Sequence, residues 1–219
     1  MSVLPRRFQR IKNVLNSRME DLTVIIEGVN KPHNLSAIIR TCDAAGVFQA
    51  NFICDQSKVK TFNSTAQGSQ KWVKLRKHES YLKATNALRN KGFKLYGTSL
   101  NENSIDYRDL DFTKNTCFVL GAEKWGLSNE LNAQVDKSIY IPMNGMVQSL
   151  NVSVAGAILL FEAIRQRNNK DLIPFEGEGL NQEEYKKTLF EWTYPELIDS
   201  YKKSNKDYPC LNKDGEIYK

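Results

Sequence analysis

Apolar residues in this chain fall in short runs separated by polar and turn-forming positions. "LTVIIE" (22–27) is too short for a helix and too continuous for a half-exposed strand, so it reads as a buried strand. "ANFICD" (50–55), residues 72–76, "FKLYGTS" (93–99), "CFVLG" (117–121) and "SIYIP" (138–142) read as strands too. Helical patterns alternate with them. One covers 34–46, with Asn34 suited to cap its start and Gly46 to stop it. A turn of helix is expected near 63–69, and a helix over 79–91 stopped by Gly92. A short helix follows Ser128, and a long one runs from about 150 to 168. Strands alternating with helices predict an α/β domain, its mostly parallel sheet flanked by helices.

Helical extensions stand on either side of that domain. Residues 5–19 place Phe8, Ile11 and Leu15 on one side of a helix, with Arg7, Arg10 and Arg18 on a neighbouring flank. Residues 170–180, "KDLIPFEGEGL", read as a linker by their Pro and Gly. "NQEEYKKTLFEW" and Pro195–Lys203 then read as helices, ahead of a polar tail. The expected organisation is a basic helical extension at 1–20, a central domain at 21–169 and a helical extension at 170–219.

Charge sharpens this picture. The 219 residues carry 31 Lys+Arg against 25 Asp+Glu, a net charge of +6. A basic balance favours phosphate-bearing partners, and the arginines of residues 5–19 are either a solvated face or a phosphate-contacting one. The four cysteines, Cys42, Cys54, Cys117 and Cys210, form no C-x-x-C pair, and there are two histidines, His33 and His78. A zinc ribbon, a His-rich metal site and Ser-His-Asp chemistry are thereby disfavoured, and no metal is expected. The longest apolar run, Val154–Phe161, is eight residues, far short of the roughly 20 that cross a bilayer. With no apolar signal core in "MSVLPRRFQR", the expectation is a soluble cytoplasmic protein without a membrane partner.

An α/β domain binds ligands beyond the carboxyl ends of its strands. The usual phosphate loops are absent: there is no G-x-G-x-x-G, and "GAEKWGLS" has Leu127 and Ser128 where a Walker loop needs Lys and Ser/Thr. What remains are three loops after three strands: "KPHNLSAIIRTCDAAGV", "FVLGAEKWGLSNE" and "IPMNGMVQSLNVSVAGAILLFEA". Each joins flexible glycines to a few neutral polar groups. If they converge, they make a backbone-built pocket suited to an adenine and a sulfonium methyl rather than a triphosphate.

Those three segments resemble the three ordered motifs of the SPOUT superfamily, the trefoil-knotted RNA methyltransferases. Over residues 5–219 the likeness is nearest to the branch that methylates the ribose 2′-hydroxyl of guanosine 18 in the tRNA D-loop. The resemblance implies a C-terminal trefoil knot, S-adenosylmethionine as cofactor, tRNA as partner and a homodimer with active sites at its interface. It implies catalytic roles for Arg40, Asn34, Glu123, Ser149 and Asn151. It implies cofactor contacts around Thr98, Leu120, Gly121, Ile141, Met143 and Leu150. Arg7, Arg10, Arg18 and His33 match basic positions associated with tRNA, and Arg165 and Arg167 extend that surface.

Local alternatives stand beside these roles. Asn34 could only cap its helix, Ser149 could cap the long helix, Glu123 could serve a turn, and His33 could be structural. Two other readings of the chain compete: a SPOUT 2′-O-methyltransferase acting on ribosomal RNA or another tRNA position, and a non-catalytic RNA-binding protein on the same fold.

Overall fold

The computed structural model describes residues 4–29, 31–53, 71–122, 126–175 and 179–218. The helix turn expected at 63–69 lies outside the described residues. In chain order the elements are α1 (Pro5–Asn16), β1 (Leu22–Glu27), α2 (Pro32–Ala44), β2 (Gln49–Ile53), β3 (Lys74–His78), α3 (Tyr81–Arg89) and β4 (Lys94–Thr98). They continue with β5 (Ile105–Asp106), β6 (Thr116–Leu120), α4 (Asn129–Asn132), β7 (Lys137–Tyr140), α5 (Val152–Asn168), α6 (Gln182–Thr193) and α7 (Ile198–Lys203). They fall into two compact units, residues 20–172 and the two chain ends together.

In the 20–172 unit seven strands form one sheet in the order β3-β2-β1-β6-β4-β7-β5, and every neighbouring pair is parallel. The central strands β1 and β6 are mostly apolar and almost wholly buried, as the inner strands of a parallel sheet are, with Thr23 and Glu27 of β1 and Thr116 of β6 their polar members. On one face Ile25, Leu95, Cys117 and Val119 pack with Ala84 and Leu88 of α3 and Leu131 of α4. The other face carries α5, whose Gly156 comes so close that a Cβ there would stand 3.0 Å from Leu120. Helix α2 packs against α5 on that same side. Burial of each large apolar side chain contributes about 1.5–3 kcal/mol, and these rows supply most of the stabilisation.

Helix α2 starts earlier than its apolar pattern suggests. Pro32 opens it and Lys31 is its N-cap, without a side-chain bond, so Asn34 is an internal, buried helical residue and not the cap. Proline at the first helical turn sacrifices no hydrogen bond, which is why the start moves there. Strand β3 lies two residues beyond the expected 72–76, and the two-residue β5 was not expected at all.

Arg167 has no place on a surface. It is fully buried; its Nε donates to Phe112 O (3.1 Å), its Nη1 to Asp21 Oδ1 (2.6 Å), and its Nη2 to Lys114 O (2.8 Å). It clasps the chain ahead of β1 to the chain ahead of β6, and the expectation that it extends an RNA-facing surface is corrected accordingly.

The other unit joins α1 to α6, α7 and the tail. Phe8, Ile11 and Leu15 are buried as their helical spacing demands. Phe190 stacks on Tyr208 with ring centroids 4.6 Å apart and meets Tyr201 edge-on at 5.3 Å. Arg18 is fully buried, its guanidinium 5.4 Å from the Trp192 ring centroid, so it too is an interior residue and not part of an exposed basic flank.

Candidate active site

Beyond the carboxyl ends of β4, β6 and β7 the chain leaves a cavity of about 770 Å³, within the range of small-molecule sites. Three segments wall it. Thr98, Ser99 and Leu100 leave β4; Gly121, Ala122 and Gly126 follow β6; and the stretch from Ile139 through Leu150 runs from β7 to α5. Val152, Ala155 and Leu159 of α5 close the floor. No charged residue lines it among those described.

The second wall is made of backbone. Ala122 and Gly126 exchange two hydrogen bonds, N to O at 2.9 and 2.8 Å. A Cβ on Gly121 would lie 2.2 Å from the Gly126 carbonyl, so only glycine fits, and Gly126 itself turns at φ +66°. The loop is anchored from below by Glu27, a residue the sequence did not single out. Its carboxylate accepts from Ser128 N (2.9 Å) and Ser128 Oγ (2.7 Å), while that hydroxyl accepts from Leu131 N to cap α4. Only the fold could reveal this pairing, across 101 residues of sequence.

Among the described residues, one hydrogen bond joins the third wall to the first motif. Asn151 Nδ2 donates to Asn34 Oδ1 at 3.2 Å. Asn151 Oδ1 also accepts from Ser153 N at 2.8 Å, so Asn151, not Ser149, is the cap of α5. Ser149 is exposed on the cavity wall and bonds no other described residue. One bond thus holds the starts of α2 and α5 together, and the Asn34 Nδ2 remains buried without a partner among the described residues. A buried amide donor left over in this way is unusual in a folded protein.

Arg40 lies on the exposed side of α2 and makes no ion pair with a described residue. His33 is exposed on the same helix, seven residues earlier. Two full turns separate them, so they share a face, about 10 Å apart along the axis. Of the expected cofactor positions, Thr98, Gly121, Ile141, Met143 and Leu150 line the cavity, whereas the Leu120 side chain is packed in the core beneath it. Thr98 Oγ1 is engaged by Val119 O at 3.1 Å, which leaves its backbone to face the cavity. Gln148, in the polar stretch before α5, lines the cavity as its motif implies, whereas Ser99 and Leu100 carried no such expectation. The signal available was an apolar Leu100 stranded between a strand end and a polar turn. Glu123 lies outside the described residues. Arg7 and Arg10 are exposed on α1; Arg165 is exposed but held by Glu162 at 2.7 and 2.8 Å.

A parallel sheet with a glycine-built cavity at its strand ends, uncharged among the described residues, fits the SPOUT fold of the SpoU methyltransferase structures it is similar to. The chain is a member of the SpoU rRNA Methylase family, which matches residues 21–161, while the C-terminal SpoU rRNA methylase family matches residues 165–219. It is 51% identical over 186 residues to the tRNA (guanosine(18)-2′-O)-methyltransferase of Thermus thermophilus, covering 85% of this chain and 95% of that one. Its structure is similar to the TrmH/SpoU tRNA modifying enzyme of A. aeolicus, with a TM-score of 0.80 and 41% identity, covering 88% of this chain and 98% of that one. It is also similar to the SpoU methyltransferase AviRb of Streptomyces viridochromogenes in complex with the cofactor AdoMet. There the TM-score is 0.60 at 30% identity, covering 69% of this chain and 59% of that one.

Proposed function

We propose that this chain methylates the ribose 2′-hydroxyl of guanosine 18 in tRNA, with S-adenosylmethionine as methyl donor. The observation that carries the reading is the cavity itself: motif-two and motif-three loops wall it, and the Asn34–Asn151 bond ties motif one to its rim. The likeness to tRNA guanosine-18 methyltransferases over most of both chains supports the choice of substrate.

The cavity suits S-adenosylmethionine. Its lining is uncharged among the described residues, and Gly121 lets the Gly126 backbone close against it to form the second wall. When bound, this cofactor supplies an electrophilic methyl group on a sulfonium. Backbone near Thr98, Gly121, Ile141, Met143 and Leu150 would hold it, with Leu120 fixing the β6 strand beneath.

A ribose hydroxyl is a weak nucleophile until its proton leaves. Guanidinium groups keep their own proton in proteins, so Arg40 is assigned to grip a phosphate beside the reacting ribose; that phosphate takes the 2′-hydroxyl proton as the oxygen attacks, while the guanidinium stabilises the charge developing on the oxygen. Asn34 and Asn151 hold the helix that carries Arg40, and Ser149 and Glu123 orient the ribose. Arg7, Arg10, His33 and Arg165 contact tRNA phosphates.

The working form is a homodimer in the cytoplasm, and the stretch between β7 and α5 is the knotted segment. Apolar residues exposed beside it, Met146, Val147, Val154 and Phe161, support a covering subunit. Equilibrium sedimentation at micromolar concentration tests the dimer: a single species at twice the chain mass is expected, and a monomer would remove it. Methyl transfer to unmodified tRNA, with the product nucleotide mapped, tests the activity.

A further inference from the structure

We infer that the outer edge of the sheet, strand β3, is a second tRNA-backbone contact. It reaches past the nucleotide being modified and rests on the tRNA reading above. The stretch "KWVKLRKH" (71–78) holds Lys71, Lys74, Arg76 and Lys77 and no acid. All four cations are exposed. Among the described residues β3 is the terminal strand, paired on one side with β2.

Strand register relates this edge to the cavity. Lys77 pairs with Phe52, Phe52 with Ile26 and Ile26 with Leu120. Lys77 therefore stands at the edge of the transverse row that runs inward to Leu120 of β6, one residue before the cavity glycine Gly121. Adjacent strands lie about 4.8 Å apart, so three steps place the edge about 14 Å from the cavity wall. That is the reach of a few nucleotides of one bound RNA. Lys77 also points to the sheet face that carries α2, the helix of Arg40. Arg76 and Lys74 point to the opposite face, as alternation requires. Cations thus wrap both sides of the edge.

A lysine on an edge strand also blocks strand-to-strand aggregation. One or two would serve that end. Four cations in eight residues, without an acid, make a positive stripe whose chemical complement is a polyphosphate backbone. The partner is the same tRNA, held beyond its modified nucleotide.

The test compares the full-length protein with the Lys74→Gln, Arg76→Gln, Lys77→Gln triple variant. Equilibrium binding to unmodified tRNA is measured across a salt series, beside S-adenosylhomocysteine binding and single-turnover methyl transfer at saturating tRNA. The expected result is tRNA affinity weakened about tenfold or more, with the slope of log K against log salt shallower by about two to three. Cofactor affinity and the saturating transfer rate stay at the wild-type level. Should the triple variant not fold, Lys77→Glu alone is expected to weaken tRNA binding with the cofactor affinity preserved. Unchanged affinity and slope, in variants that bind the cofactor and beside a wild-type protein that binds tRNA, overturn the edge contact. Aggregation of the variants without loss of tRNA affinity overturns it in favour of edge protection. A wild-type protein that binds no tRNA overturns the tRNA reading, and the edge contact with it.

Discussion

Single residues divide the arginines into two kinds. Arg40 is exposed and makes no ion pair with a described residue, as a group awaiting a phosphate should be. Arg40→Ala is expected to lower the transfer rate at least about 100-fold, with S-adenosylhomocysteine affinity measured by calorimetry unchanged. Arg40→Lys should recover little, because a point charge does not reproduce the guanidinium fork. Arg167 is the opposite case. Its removal would take one donor each from the half-exposed Asp21 carboxylate and from the carbonyls of Phe112 and Lys114, which keep Thr116 Oγ1 as a second donor, and would empty a buried side-chain site. Arg167→Ala should therefore cost about 1–3 kcal/mol of unfolding free energy in urea titrations. No reading of the sequence could separate the two, since arginine is a surface residue by default and burial depends on partners distant in the chain. Arg18 over Trp192 was hidden for the same reason.

At the scale of elements, the apolar runs of β1 and β6 and the helix stops at Gly46 and Gly92 were legible because buried strands and positive-φ glycines leave local marks. Strand β5 was not, since two residues carry no periodicity. The order of strands in the sheet, and hence the meeting of three loops in one cavity, is a property of pairing that motif spacing implied only through family likeness. The motif-two loop depends on close backbone approach. Gly121→Ala would drive a Cβ onto the Gly126 carbonyl, so cofactor affinity is expected to fall at least tenfold in a calorimetric titration. The β1–β2–β3 layer holds a polar cluster in which Asn51 donates to Thr23 and Val24 and faces His78 Nε2 at 3.0 Å. Burial, and secondarily the Arg76 charge, lower the His78 pKa. The folded state therefore favours neutral imidazole, and below the ordinary value near 6.5 the unfolded chain takes up the proton first. Stability should be level above neutrality and fall as the pH drops through 6.5 toward 5.5. Urea midpoints across that range should lose part of this slope in His78→Gln.

The whole molecule combines a cavity that is uncharged among the described residues and a chain with a net charge of +6. Cofactor binding should be nearly insensitive to salt, whereas RNA binding, which rests on phosphate neutralisation, should weaken steeply. Titrating both between 50 and 200 mM salt is expected to separate them, and a flat response for RNA would place recognition elsewhere than on the phosphates. The measurement that bears most directly on function is transfer of labelled methyl from S-adenosylmethionine to unmodified tRNA transcripts, with the modified nucleotide mapped. The expected product is 2′-O-methylguanosine at position 18, with no label on transcripts lacking that guanosine. Label at another nucleotide, or on ribosomal RNA alone, would contradict it.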